Sequence, residues 1–521
     1  MDCERYRSWL HKAILLLLMI QPAVDLDYLF YPFLHAHGLP RLATVIRFLI
    51  LPLLIAVSFF LKEQNKKKTV LLTGCWLLLS ALYFYLHDRQ SMIFAKTLDF
   101  TKNFTYSPWR ELTYCLTLLV PVLMIDPIRR EKFTMEEVRQ VVCFESALIS
   151  VSIVLGDLYV FAKSTYYGNT VGNLFSWFNG IYQWYHPRTL ASKFFFHEGN
   201  TIGILLFMTL PLLYYFLTIE TDHKKRVRLS ILILLQSLAM QMLATRVATY
   251  GAVVMPLVFL AVYLFNFILH REKWNWRPVL TCILSAGIFA LILPYTPAVE
   301  NQHIDAINDT ALLHNGAAAE GLGKLKEMEG KLIPGTPEYI NFYVYMFEAY
   351  GINGRYIQSV PSMYYTTYYS YQHDPKFWVD VMNMDVYDRV NGRQIETIFT
   401  KYKYQHLSVW QKVLGMGYST FNAGGIVLER DFVMQMYLLG YGGVILFVFP
   451  WLTWMIYGLV AFIRRFKKLM TLLNMILSVS LGAGMAAAYL SGHMLDQFIT
   501  TMFCALAIGV LVNHIQESAH A

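Results

Sequence analysis

The run from Leu229 to Leu269, LSILILLQSLAMQMLATRVATYGAVVMPLVFLAVYLFNFIL, contains a single charged residue, Arg246. As one helix, its 41 residues would be roughly 60 Å long, twice the thickness of the hydrocarbon core of a bilayer. The run must therefore fold back on itself. Basic residues flank both of its ends, so the positive-inside rule places both ends in the cytoplasm. It places the reversal, with Arg246 at its tip, at the outer face.

The composition of the whole chain is that of a membrane protein. Of 521 residues, 56% are hydrophobic and only 15% are charged, and the mean hydropathy is +0.41. These values exclude a set of soluble domains. The net charge of +8 comes from short basic clusters between apolar runs, so it reports membrane topology rather than a nucleic-acid partner. The six cysteines imply no disulfide framework, because most of them lie in or beside apolar runs.

Apolar runs long enough to cross a bilayer predict an all-α, polytopic membrane protein. Twelve such runs lie near 11–32, 42–61, 69–87, 109–126, 140–162, 199–219, 229–245, 247–269, 278–294, 432–461, 469–490 and 497–513. Every second connection is basic, and so is the N-terminus, which predicts that both termini are cytoplasmic. We therefore expect an N-terminal membrane region (1–294), an extracytoplasmic loop subdomain (295–431) and a C-terminal membrane region (432–521).

The loop between the ninth and tenth runs is the only connection large enough to form a subdomain. Helical patterns at 311–332 and 376–413 flank a region that contains Pro334, Pro337 and Pro361. We expect a small helical cap on the outer side of the membrane.

Two arginines in or beside the apolar runs are candidate phosphate ligands. A guanidinium near the bilayer is costly unless it is solvated or paired, and it can bind phosphate through two hydrogen bonds. Arg246 lies at the reversal and Arg47 lies about one and a half turns inside the second run. Snorkelling to the membrane surface is the alternative for both residues, and it is the favoured one for Arg47.

The segment from Arg389 to Tyr418 combines cations with aromatic residues. Arg389 and Arg393 are one helical turn apart, so they could share a face, although a solvated surface helix has the same pattern. Gly415-Met416-Gly417 is not followed by the third glycine of a dinucleotide-binding turn, and no phosphate-binding P-loop is present in the sequence. The sequence therefore disfavours transport driven by nucleotide hydrolysis.

Several acidic residues are candidates for proton transfer or metal binding. Glu429 and Asp431, at the outer end of the tenth run, could accept a proton from a hydroxyl group, or they could simply favour the start of a helix. Asp25 and Asp27 form a pair that could bind a divalent cation, and His493 with Asp496 forms another. Capping or solvation explains both of these pairs better.

Four stretches carry a resemblance to one protein family. They are His197–Gly203 (HEGNTIG), Thr245–Gly251 (TRVATYG), Gly392-Arg393 with Leu414–Phe421 (LGMGYSTF), and Asp431–Phe447, which begins with Asp-Phe and contains Gly440 and Gly443. In their order and topology, these stretches resemble the O-antigen ligase and Wzy-type polysaccharide polymerase superfamily of C-type-like membrane glycosyltransferases.

The resemblance implies an inverting, metal-independent transferase without a cofactor in the bacterial cytoplasmic membrane. It would move a glycan from undecaprenyl pyrophosphate to an acceptor sugar hydroxyl at the outer face. Arg246 and Arg393 match the arginines that hold the pyrophosphate, and Asn200 with His197 matches the family's helix entry. Ligases of the family carry a histidine near the end of the outer loop.

In this chain Glu429 and Asp431 occupy that neighbourhood, which favours a polymerase or a ligase-like branch with a carboxylate base. His406 is the next candidate for the base. A lipid-linked saccharide flippase is the alternative from a different class, and it would need a polar path through the membrane. A metal-dependent transferase that uses Asp25 and Asp27 is a third possibility, which loss of activity in EDTA would reveal.

Overall fold

The computed structural model describes residues 3–62, 66–98, 101–303, 316–328, 330–350, 363–382, 384 and 392–520. The helices in the first part of the chain are α1 (Cys3–Met19), α2 (Gln21–Asp25), α3 (Tyr31–Ala36), α4 (Leu42–Lys62), α5 (Lys66–Lys96), α6 (Pro108–Glu131), α7 (Met135–Leu158), α8 (Gly199–Ile219), α9 (His223–Leu243), α10 (Arg246–Ile268) and α11 (Trp276–Ile292). The later helices are α12 (Gly316–Met328), α13 (Pro337–Tyr350), α14 (Pro375–Met382), α15 (Gly392–Gln405), α16 (Val409–Leu414), α17 (Tyr418–Gly424), α18 (Asp431–Leu438), α19 (Gly440–Gly443), α20 (Phe449–Arg464), α21 (Phe466–Leu469), α22 (Leu472–Leu490) and α23 (Phe498–His520).

The described residues confirm the all-helical membrane fold. Within the described ranges, eleven helices are long and apolar enough to cross a membrane, and a bent pair near the N-terminus makes up to twelve. Pairing of strands in the described residues is limited to two isolated bridges, between Lys163 and Asn169 and between Ser164 and Ser192.

The first compact unit comprises Met1–Leu77, Leu116–Asn301 and Phe447–Ala521. Its centre is α8, which packs against α9, α10 and α22. Most side chains of α8 are buried because they are apolar around the whole circumference of the helix, as expected of a helix enclosed by others.

The connections that we predict to be cytoplasmic meet at one end of this unit. Arg139 forms an ion pair with Glu220 at 2.6 Å, and His11 Nε2 lies 2.7 Å from Glu137 Oε1. The Asn513 amide donates to the carbonyl oxygen of Arg129 at 2.8 Å. These contacts bring together segments that the positive-inside rule assigns to the same side of the membrane.

The predicted reversal within 229–269 is present. Helix α9 ends at Leu243, Ala244 adopts a left-handed conformation (φ 54°), and the side chain of Thr245 caps α10 by accepting from the Ala248 amide. The two helices then pack against each other.

The second compact unit comprises Leu78–Cys115 and Gln302–Leu446. Its core contains an aromatic cluster of Phe104, Tyr369, Phe377, Phe399 and Phe421, whose rings contact one another mostly edge to face. Such rings bury large areas, so they can hold together a subdomain made of short helices.

Three elements differ from the sequence-based predictions. The first run bends by 53° between Met19 and Gln21, where Pro22 opens the next helix. The tenth run is divided into α18 and a span that begins at Gly440, whose φ of 65° breaks the helix. The prolines of the outer loop do not exclude a helix, because Pro337 is the first residue of α13 and an N-terminal proline loses no helical hydrogen bond.

Candidate active site

Arg246 is the first residue of α10, at the tip of the reversal, and its side chain is exposed. No carboxylate among the described residues forms an ion pair with it. A free guanidinium at the start of a membrane helix is available to an anion, and the amide groups of the first turn add to the positive potential there.

The two family stretches of the first unit pack directly on each other. A Cβ at Gly203 would lie 2.9 Å from the Thr245 hydroxyl and 3.0 Å from Ala248. A Cβ at Gly251 would lie 3.0 Å from Phe207 Cε2. The glycines of both stretches therefore allow α8 and α10 to approach closely, and this contact fixes the turn that carries Arg246.

The connection between α7 and α8 is attached to the same turn. The Thr165 hydroxyl donates to the carbonyl oxygen of Leu243 at 2.7 Å, and the Tyr166 hydroxyl donates to that of Ala244 at 3.1 Å. The Ser192 amide donates to the Met242 carbonyl at 2.8 Å. Buried carbonyls at the end of α9 thus obtain the partners that a helix end requires.

Asp25 and Asp27 both form ion pairs with Arg41. The Arg41 guanidinium contacts Asp27 Oδ1 at 2.5 Å and Asp25 Oδ1 at 3.2 Å, and the Ala43 amide donates to Asp27 at 2.8 Å. Both carboxylates are buried. The pair therefore already has a cationic partner, which favours this ion pair over a divalent cation at the same position.

Arg47 does not snorkel to the surface. It is only 7% exposed, its Nε donates to Gln21 at 3.2 Å, and its guanidinium lies over the ring of Phe498. Asp25 Oδ1 is 3.8 Å from its Nη1, while the buried Nη2 has no hydrogen-bond partner among the described residues. Arg47 stays a candidate phosphate ligand, in a buried position rather than at the membrane surface.

His197 and Asn200 lie at the entry to α8. The His197 amide donates to Asp25 Oδ2 at 2.9 Å, and its ring packs edge-on against Tyr28. Asn200 is the second residue of α8 and is half-buried. Burial lowers the pKa of the His197 imidazole, although the carboxylate of Glu198 opposes this shift.

In the second unit, Arg393 on α15 forms an ion pair with Glu429, which lies two residues before α18. Both side chains are partly exposed. The predicted pyrophosphate ligand and the predicted general base of this unit are therefore direct neighbours. Tyr364 lies nearby and donates to Glu396, one turn after Arg393, at 2.6 Å.

Asp431 is buried at the first position of α18, and Arg430 occupies the N-cap position. Asp431 is therefore not the cap of this helix, because a cap residue precedes the first turn and accepts from its amides. Asp431 instead places a negative charge where the helix dipole favours one.

The two family stretches of the second unit also pack on each other. A Cβ at Gly415, whose φ is 83°, would lie 2.6 Å from the Gly440 amide nitrogen. The Met416 and Gly417 amides donate to the carbonyl oxygens of Tyr437 and Leu438 at 3.2 and 2.9 Å. Only glycine permits this approach of two backbones, so the pair explains both glycine motifs.

A buried histidine and glutamate hold the same turn from the other side. Glu111 accepts from the Tyr418 and Ser419 amides at 2.9 and 2.8 Å. His87 Nε2 lies 2.8 Å from Glu111, and its Nδ1 lies 2.6 Å from the carbonyl oxygen of Leu414. A carbonyl oxygen only accepts, so Nδ1 carries a proton, and a second proton lies between His87 and Glu111.

Among the described residues, His87, Glu111 and Cys115 form a group whose ligand atoms lie within 4.8 Å of one another. Both carboxylate oxygens of Glu111 already accept amide protons, and both ring nitrogens of His87 face oxygen atoms. Hydrogen bonding therefore accounts for the group, and we assign no metal to it.

The remaining candidates lie apart from these contacts. His406 is exposed and its Nδ1 donates to the Tyr402 carbonyl at 2.7 Å, while His493 pairs with Asp496 at 3.3 Å. Arg389 lies outside the described residues.

Sequence reasoning missed Arg41, His87 and Glu111. Glu111 and His87 have a signal in the sequence, because each is a polar residue in or beside an apolar run where polar groups are costly. Arg41 has none, because it lies in a polar connection.

Comparison with known proteins identifies the family of the chain. The chain matches the family described as O-antigen ligase like membrane protein over residues 7–518, and no curated protein matches it. This family supports a polymerase- or ligase-type role in glycan assembly for a multi-pass, glycosyl-transferring membrane protein. Because the match covers nearly its entire length, the chain belongs to the O-antigen ligase-like family of membrane proteins.

Proposed function

We propose that this protein is an inverting, metal-independent glycosyltransferase of the bacterial cytoplasmic membrane, with both termini in the cytoplasm. It takes a glycan from undecaprenyl pyrophosphate and joins it to an acceptor saccharide at the outer face, as a polysaccharide polymerase or ligase. The observation that carries the proposal is Arg246, an exposed guanidinium at the start of a membrane helix without a carboxylate partner among the described residues.

The proposed reaction is a single displacement at the anomeric carbon. The acceptor hydroxyl oxygen forms a bond to this carbon while the bond from the carbon to the pyrophosphate oxygen breaks. Arg246 and, by the resemblance, Arg393 neutralise the leaving pyrophosphate, and Glu429 takes the hydroxyl proton. Positive charge placed in advance at the leaving group lowers the barrier because no solvent has to reorganise.

Replacement of Arg246 by lysine tests the phosphate contact. Lysine keeps the charge but loses the planar fork that binds two phosphate oxygens. We expect transfer from a purified lipid-linked donor to fall at least about tenfold, which corresponds to one charge-assisted contact of roughly 1.5–3 kcal/mol. Arg277→Lys, an exposed arginine at the other end of the first unit, is the matched control. Normal transfer by Arg246→Ala would contradict the proposal.

Deletion of the gene, followed by sizing of the surface polysaccharide, identifies the reaction. Collapse of a ladder to single repeat units indicates a polymerase, and lipid-linked polymer that is complete but unattached indicates a ligase. Precursor trapped in the cytoplasm would indicate a flippase and would contradict a transferase.

A further inference from the structure

A concave site lies in the first unit, beside the reversal. It is a cavity of about 180 Å³ lined by ten residues, among them Tyr28, Tyr31, Tyr166, Tyr167, Lys163 and Lys193. Drug-sized ligands occupy pockets of roughly 300–1,000 Å³, so this cavity suits a single ring rather than a chain. Tyr166 contacts Ala244, two residues before Arg246.

The aromatic walls of the cavity are fixed before any ligand arrives. Arg188 donates to the Tyr167 hydroxyl at 3.1 Å and lies over the ring of Tyr166 at 5.5 Å from its centroid. On the other wall, Tyr28 and Tyr31 stack with centroids 5.3 Å apart. Rigid aromatic side chains lose little conformational freedom on binding, and they offer flat faces to apolar C–H groups.

The charge of the lining is entirely positive. Lys163 and Lys193 are its only ionisable residues apart from the tyrosines. Lys163 donates to Asn169 at 2.8 Å and Lys193 donates to the His197 carbonyl at 2.7 Å, so each ammonium contacts a neutral oxygen. In the described part of the chain, neither ammonium forms an ion pair with a carboxylate.

The acidic groups near Lys193 do not neutralise the cavity. Asp25 is paired with Arg41, and Glu198 lies outside the lining. Burial lowers the pKa of the Lys193 ammonium, with the carboxylates of Glu198 and Asp25 opposing the shift. A buried ammonium gains from an anionic ligand that restores the solvation lost on burial.

We propose that this cavity, the tyrosine–lysine pocket, binds one anionic sugar unit, a ring that carries a carboxylate or a phosphate group. The tyrosine faces stack on the C–H face of the ring, and the two ammonium groups hold the anion. The assignment of this unit to the transferred or accepting glycan rests on the proposed function; the binding itself does not.

Ligand-observed NMR with the full-length protein in nanodiscs of zwitterionic lipid tests the pocket. The probes are glucuronate, glucose 1-phosphate, glucose and inorganic phosphate. We expect saturation transfer to the ring protons of both anionic sugars, with glucose binding about fivefold more weakly because it lacks the charged contact. Inorganic phosphate should compete more weakly than glucose 1-phosphate, because it has no ring to stack.

Two substitutions separate the parts of the pocket. Lys163→Gln should reduce the preference for the anionic sugars, because only the Lys193 ammonium then remains, and Tyr167→Leu should weaken the binding of all three sugars. Tyr167 is 68% exposed, so its loss leaves folding intact. Lys273→Gln, at an exposed lysine outside the pocket, is the matched control.

Equal binding of glucose and glucuronate, or an unchanged preference in Lys163→Gln, would overturn the proposal. Loss of all sugar binding when the nanodiscs contain anionic phospholipid would show that a lipid headgroup fills the pocket, and would also overturn it. This assay measures sugar binding without a lipid-linked donor. A negative result would therefore contradict the pocket alone, whereas normal transfer by Arg246→Ala would contradict the proposed function.

Discussion

The ion pair between Arg393 and Glu429 has a consequence for the proposed reaction. Without a donor, the residue expected to bind phosphate neutralises the residue expected to take a proton. A pyrophosphate carries more negative charge than one carboxylate and would compete for the guanidinium. In this mechanism, donor binding would therefore release Glu429 from Arg393, which leaves the carboxylate free to accept the hydroxyl proton.

Replacement of Glu429 by glutamine keeps the shape of the side chain but removes its capacity to take a proton. A general base contributes roughly 10²–10⁴ in rate, so we expect turnover on a purified lipid-linked donor to fall by about that factor. Donor affinity should be retained or improved, because Arg393 loses its competitor. Glu338→Gln, an exposed acid of the second unit, is the control.

Asp431→Asn should have a different effect. Asp431 is fully buried in the first turn of α18, where its charge favours the helix. We expect a milder loss of turnover together with a lower apparent unfolding temperature in detergent. If both amides turn over near the wild-type rate, proton acceptance lies elsewhere, with His406 as the next residue to replace.

At the scale of elements, Gly415 and Gly440 allow two segments of backbone to come into direct contact. Gly415 adopts a φ of 83° against Gly440, a combination that disfavours any side chain. Left-handed strain of about 1–3 kcal/mol and overpacking of about 1–3 kcal/mol add at this position.

We therefore expect Gly415→Ala to destabilise the protein by at least about 2 kcal/mol. Thermal unfolding followed by size-exclusion chromatography in detergent measures the effect. Gly323→Ala is a matched control in the same unit, since nothing lies within 4 Å of its added Cβ and alanine favours helix. Similar stability of the two variants would show that the turn can relax.

The His87–Glu111 pair gives a second test of the same turn. In Glu111→Gln, the side-chain NH2 group faces a backbone amide or His87 in place of a carboxylate oxygen. A buried polar group that is left without a hydrogen bond costs about 1–3 kcal/mol. We expect Glu111→Gln to lower the apparent unfolding temperature and to reduce transfer in proportion to the unfolded fraction. Glu136→Gln, whose side chain is 63% exposed, should change neither. A loss of transfer in fully folded Glu111→Gln would instead indicate a direct part in the reaction.

Much of the fold could be predicted because hydrophobic runs and basic connections are local in the sequence. The reversal at Arg246 required only the length of the run and its flanking charges. The break at Gly440 was not predictable in this way, because the run is apolar on both sides and the cause is a contact with Gly415. Pairings such as Arg41 with Asp25 and His87 with Glu111 likewise depend on tertiary contacts between separate segments of the chain.

The candidate residues show the same division. The family stretches point to Arg246 and Arg393 as candidates by their positions in the chain, and Glu429 is a candidate because it lies just before the stretch that begins at Asp431. The surroundings that decide what each residue does are set by packing, as the burial of Arg47 and the ion pairs of Asp25 and Asp27 with Arg41 illustrate. A sequence pattern can predict which side chain is important, but it does not predict which residues that side chain contacts.

At the scale of the whole molecule, the proposed function requires the reversal to face outward. The connections at the other end of the first unit carry the basic residues, so the positive-inside rule places Arg246 outside.

A cysteine at Val247, beside Arg246 and partly exposed, should therefore react with an impermeant thiol reagent in intact cells. A cysteine at Lys224, in a basic connection, should react only after permeabilisation. Cys75 is exposed and Cys3 is near the N-terminus, so both are first replaced by serine to remove background labelling. Labelling of Val247→Cys only in permeabilised cells would reverse the orientation of the chain, and transfer at the outer face would then be impossible for Arg246.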